Sequence, residues 1–225
     1  MTALSRRACV AFVALFVLVS GAFSAQAFGA GSGSVLPPPA RPHATSLADM
    51  AKATGPFTFS GNDPSFLPTT PFQLLYEDPV TAATNPDGCG AVSSGSNSFT
   101  VRPGTMSYAP ILNVDEGIGD YPTTPAAART YFFGASGLGG HDFAVSVDGA
   151  KTPLGPSYLV GPIAVTLPDG GQHIITIGAI LSPLAPGRHT VEVTGRVDGA
   201  LIQSVIGLCF VQFDFTYTVT VGRAA

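Results

Sequence analysis

Cys209-Phe210-Val211-Gln212-Phe213-Asp214-Phe215-Thr216-Tyr217-Thr218-Val219-Thr220-Val221 reads with a period of two. Val211, Phe213, Phe215, Tyr217, Val219 and Val221 share one face and Gln212, Asp214, Thr216, Thr218 and Thr220 the other, because successive side chains of a strand point to opposite sides. A strand this long with one apolar face needs a second sheet to cover it. Each side chain so buried contributes about 1.5–3 kcal/mol before chain entropy is subtracted. The stretch therefore predicts a central strand of a β core, with Cys209 continuing its inward face.

Upstream, the pattern repeats in shorter pieces. Strands are expected at Phe57 to Ser60, Phe72 to Glu77, Phe99 to Val101, Thr105 to Leu112, Phe143 to Val147, Tyr158 to Thr166, His173 to Leu181 and His189 to Val197. Turn chemistry separates several of them: Pro103-Gly104, Asp148-Gly149, Pro168-Asp169-Gly170-Gly171, Pro186-Gly187 and Asp198-Gly199. His173 to Leu181 and His189 to Val197 read as a hairpin, with His189 a half-buried structural histidine beside its turn. The polar, Gly-rich stretch from Asp78 to Asn97 is expected to be the least ordered part of the core region. A short helix starts at Ser46-Leu47-Ala48-Asp49, a capping-box spacing, and stops at Gly55-Pro56. A second runs from Thr124 and Pro125 to Gly134, with Tyr131 or Phe132 plugging one end of the core. The expected fold class is all-β: an antiparallel β-sandwich, immunoglobulin-like or jelly-roll-like, with one or two short helices.

The first residues describe transport. Arg6 and Arg7, the apolar run Ala8 to Val19 and Ala25-Gln26-Ala27 make a signal peptide over residues 1–27, too short and interrupted for a membrane span. Residues 28–45 read as a flexible Gly/Ser/Pro-rich linker and 46–225 as one domain. Without the signal peptide, eight bases against fourteen acids leave a charge of −6. No cluster of Lys or Arg offers a nucleic-acid surface. Cys89 and Cys209 are the two remaining cysteines, and in an exported chain they read as one disulfide.

Candidate chemistry is sparse. Asn113, Asp115, Glu116 and Asp120 place oxygen ligands in a glycine-bearing loop after a strand, a calcium candidate set against an ordinary solvated turn. His141-Asp142, His173 and His189 hold zinc-ligand types, but their spacing sets them apart. Ala91-Val92-Ser93-Ser94-Gly95 and Gly134-Ala135-Ser136-Gly137 miss the nucleophile-elbow pattern, and no catalytic residue is assigned. The Thr216, Thr218, Thr220 row is a single exposed row and makes no array. The absence of tryptophan removes the usual sugar-stacking ring, leaving a glycan or cell-surface partner to the tyrosines.

From Phe99 to Val221 the chain resembles a set of uncharacterised secreted bacterial β-sandwich proteins. The resemblance is carried by Arg102-Pro103-Gly104-Thr105 to Pro110-Ile111-Leu112-Asn113, by Val147-Asp148-Gly149 and by Leu184-Ala185-Pro186-Gly187-Arg188-His189-Thr190-Val191. The last of these is similar to the penultimate hairpin of immunoglobulin-like sandwiches. The resemblance implies fold and export, to the extracellular space, periplasm or cell surface, and no activity. Two expectations follow: a non-catalytic binding or structural protein, or an extracellular hydrolase using Asp115, Glu116 or Asp120 with His141 or His189.

Overall fold

The computed structural model describes residues 33–78, 80–85 and 88–222, so the signal peptide expected at 1–27 lies outside the described residues. The chain is mostly β, with two sheets and few short helices. Helix α1 (Leu47–Phe59) precedes strands β1 (Phe72–Leu74), β2 (Val80–Thr84), β3 (Gly90–Val101) and β4 (Met106–Val114). Helix α2 (Pro125–Phe133) follows, then β5 (Gly140–Val147), β6 (Ala150–Pro153), β7 (Leu159–Ala164), β8 (His173–Leu181), β9 (Gly187–Val197) and β10 (Phe210–Val221).

One sheet runs β1-β4-β8-β7 and the other β2-β3-β10-β9-β5-β6. Both are mixed, which corrects the antiparallel expectation: β1 lies parallel to β4, and β10 lies parallel to β3 along its whole length. That parallel register has a covalent consequence. Phe210 pairs with Gly90, so the residues before them, Cys209 and Cys89, stand side by side at a Cα separation of 5.1 Å, within disulfide range. The Cys209 N–H also donates to the Cys89 carbonyl at 2.5 Å.

The closing strand is central, flanked by β3 and β9. Phe215, Tyr217, Val219 and Val221 are buried, and Asp214, Thr216 and Thr220 are exposed. These inward side chains join Ile111 of β4 and Ile175, Ile177 and Ala179 of β8 in one cluster, so the two sheets share a core. Strand β8 is buried on both faces, since α1 packs Met50 and Phe57 near Ile180 on the side away from that core. This explains why Ile174 to Leu181 is apolar at nearly every position, Thr176 apart, with no alternation.

Four expectations change. Strands β8 and β9 belong to different sheets, so the segment between them crosses from sheet to sheet and is no hairpin turn. Phe57 to Ser60 forms no strand. Instead α1 continues through Pro56 to Phe59, with its capping box intact (Ser46 N–H to Asp49 Oδ2, 2.8 Å) and its close contact to β8 made at Gly55. The Asp78 to Asn97 stretch supplies β2 and most of β3, because a Ser/Gly-rich strand is held by backbone bonds to neighbours on both sides. Finally, the tether expected over 28–45 is part of the folded unit from Gly33 onward. Ser182 N–H donates to the Ser34 carbonyl (2.9 Å), Leu36 N–H donates to the Ile180 carbonyl (2.8 Å), and Leu36 is buried.

Helix α2 starts as its sequence dictates. Thr124 Oγ accepts the Ala127 N–H at 3.2 Å, Pro125 opens the first turn, and Phe132 is fully buried.

Candidate functional site

A hollow of about 180 Å³ opens where the β1–β4 side of one sheet faces β10 of the other. The last turn of α1 supplies Phe57 and Thr58, and Asn62, in a left-handed conformation (φ 64), turns the chain back. Tyr76 and Glu77 follow just beyond β1. On β4, Pro110 has no N–H to give, and the ladder to β8 slips between Pro110 and Leu112. That slip brings the consecutive residues Ile111 and Leu112 to the same hollow, where a regular strand would point them apart. Phe213 and Phe215 of β10 complete the wall.

Glu77 is the ionisable group here. Asn62 Nδ2 donates to its backbone carbonyl at 2.8 Å, and the buried Tyr217 hydroxyl donates to Glu77 Oε1. Burial pushes the Glu77 carboxyl above the ordinary carboxylate range, against the hydrogen bonds from Tyr217 and its own backbone N–H. Burial, with the adjacent carboxylate, pushes the Tyr217 phenol up as well. Among the described residues no lysine, arginine or histidine pairs with Glu77. Ring contacts connect α1 to β10 around it: Phe57 to Tyr76 at 5.0 Å, Tyr76 to Phe99 at 5.5 Å and Phe99 to Tyr217 at 6.2 Å. Apolar walls, a few convergent polar groups and an acid with a raised pKa are the usual marks of a small-molecule site. A wider depression of about 530 Å³, bordered by Asp120, Tyr131, Ser136 and Leu201, holds a single carboxylate.

Three of the four calcium candidates are engaged with separate partners. Asn113 Oδ1 accepts from the Thr176 hydroxyl (2.6 Å), and Asp115 Oδ1 accepts the Gly117 N–H (3.0 Å) in a local turn. Glu116 lies 2.6 Å from His173 Nδ1 and accepts the Gln172 N–H at 3.1 Å. Burial raises the Glu116 carboxyl, but those bonds outweigh it and hold the group below its ordinary value. Asp120 borders the wider depression. Among the described residues no three His, Cys, Asp or Glu side chains gather as metal ligands.

The histidines also stand apart. His141 lies between Asp142 (2.8 Å) and Asp198 (3.0 Å), and the bond to Asp198 leads in raising its pKa. His189 bridges Asp148 (2.7 Å) and the Ala185 carbonyl (2.8 Å), which fits its reading as a structural histidine. Ser94 shares a hydrogen bond with Thr81 at 3.1 Å. The threonine row is wider than expected: Ser96, Ser98 and Thr100 of β3 lie in register with Thr216, Thr218 and Thr220, making two hydroxyl rows. Glu77 was not singled out in the sequence. Its only signal there is an acid pair, Glu77-Asp78, closing the largely apolar stretch Phe72-Gln73-Leu74-Leu75-Tyr76.

No family model matches this chain, and no curated protein matches it. Among solved structures, the solution structure of amebosin is similar at 12% identity over 68% of this chain and 99% of that one. Its TM-score is 0.27, too low to carry an argument.

Proposed function

We propose that this chain is an exported, non-catalytic binding protein on an immunoglobulin-like β-sandwich, and that its ligand enters the Glu77 hollow. The observation that carries the reading is the hollow itself, where rings from α1, from the segment just beyond β1 and from β10 surround a carboxyl without a cationic partner among the described residues. The acid–histidine contacts, by contrast, stand at three separate places, each tying one segment of chain to another. Export draws its support from the signal-like N-terminus and from a cysteine pair at disulfide distance. Among the described residues no helix is long and apolar enough to cross a membrane. The sandwich draws its support from two sheets that share one core.

A thermal-shift screen against calcium, zinc, oligosaccharides and small organic molecules, run beside ester, glycoside and peptide hydrolysis assays, tests the reading. A stabilising ligand whose effect is lost in Phe213→Ala, with no turnover, is the expected result. A second reading, an extracellular hydrolase, draws on the Glu116–His173 contact beside a hollow of about 260 Å³. Turnover abolished by His173→Ala would establish it in place of the first. A calcium role for Asn113, Asp115, Glu116 and Asp120 requires a calcium-induced rise in Tm that Asp115→Ala removes.

A further inference from the structure

The Glu77 hollow has a chemistry that selects among ligands. Its walls are mainly apolar and aromatic, and ring faces carry negative potential that repels anions and attracts cations. Asn62 and Asn113 line it too, but the Asn62 amide N–H is bonded to the Glu77 carbonyl and the Asn113 amide oxygen accepts from Thr176. Glu77 Oε1 takes the Tyr217 hydroxyl. The site thus offers an acidic group among rings and few groups for matching the many hydroxyls of a sugar. Among the described residues Glu77 has no cationic partner; a carboxylate removed from water without a counter-ion is costly, and a ligand bringing a positive charge relieves that cost. Asn62, Tyr76, Glu77 and Phe213 are half-buried, so the hollow is reachable from solvent. At about 180 Å³ it suits a small head group, well below the roughly 300–1,000 Å³ of pockets for drug-sized ligands.

We propose that the hollow binds a small organic cation, a substituted ammonium group, with the Glu77 carboxylate as counter-ion and Phe57, Tyr76 and Phe213 as aromatic walls. The proposal rests on the binding-protein reading and names its ligand class. The chemistry is a charge in an aromatic cage, with no bond made or broken.

The test is an NMR titration of the full chain with choline and, in parallel, with 3,3-dimethylbutan-1-ol, its uncharged isostere. Choline is expected to shift Tyr76, Glu77 and Phe213 saturably and to bind at least about tenfold more tightly than the alcohol. Glu77→Gln, which keeps an oxygen for the Tyr217 hydroxyl, is expected to bring the two affinities together. Phe213→Leu, which removes a ring while keeping an apolar side chain, is expected to weaken choline more than the alcohol, and it serves as the test if Glu77→Gln fails to fold. Equal affinities in the parent protein, a choline preference that survives both substitutions, or no shift at the hollow with choline at tens of millimolar would overturn the proposal. If the alcohol alone binds there, the cation proposal falls while the hollow stands as a binding site. Hydrolytic turnover would remove the underlying reading instead.

Discussion

The fold raises the pKa of both Glu77 and His189, toward a neutral carboxyl in the one and a charged imidazole in the other. The Glu77 carboxyl is pushed up by burial, so the fold favours its neutral form. Its contribution to stability is full below about pH 4.5, the ordinary value, and is lost as pH rises through the raised value of the folded state. Glu77→Gln stays neutral throughout. It is expected to raise Tm at pH 7 by about 2–4 °C for each kcal/mol recovered, with the gain vanishing toward pH 4, as calorimetry across that range reads directly. His189 is raised chiefly by its bond to Asp148, so its contribution is full below about pH 6.5 and is lost as pH rises through its folded value. Asp148 is lowered chiefly by the same bond, so its share is present above about pH 3.8 and is lost as pH falls through its folded value. The pair therefore stabilises most between the two ranges. His189→Gln is expected to remove the part of the fall in Tm that sets in above about pH 6.5, a small amount because Asp148 is half-exposed and screened.

At the scale of elements, β10 and β3 decide the architecture. Their parallel register sets Cys89 beside Cys209 across a sequence separation of 120 residues. Such a closure contributes about 2–5 kcal/mol by restricting the unfolded chain. Cys89→Ser with Cys209→Ser is expected to lower the urea midpoint by a matching amount, and a reductant should reproduce the shift in the parent protein but not in the double variant. On β9, the Phe143 ring lies over Gly195, where a Cβ would take the space of the ring. Gly195→Ala is expected to cost about 1–3 kcal/mol in chemical denaturation, since the ring must move within a packed core. The closing strand was legible because its inward and outward positions alternate from Phe213 to Val221 and the burial follows them. Strand β3 was not, because its Ser and Gly residues carry no apolar period and its place comes from the neighbours that bond its backbone. The end of α1 misled for a related reason: Phe57-Thr58-Phe59 has a strand's composition, yet Phe57 packs beneath the helix in the cluster of Met50 and Tyr108.

At the scale of the molecule, the cysteine pairing and the central strand were legible, while the proposed Glu77 hollow was not. The loop from Asn113 to Asp120 holds acids close in sequence, and in the fold Asn113, Asp115 and Glu116 each bond to a different partner. The Glu77 hollow is assembled from α1, the turn at Asn62, β4 and β10, so its residues become neighbours only when the two sheets face one another. A heteronuclear NMR screen of the full chain with a chemically diverse set of small molecules tests most directly whether this is where the protein works. Shifts that cluster at Tyr76, Glu77, Leu112 and Phe213 are the predicted result. Shifts confined to the Asn113 to Asp120 loop or to the hydroxyl rows of β3 and β10, with the hollow silent, would contradict it.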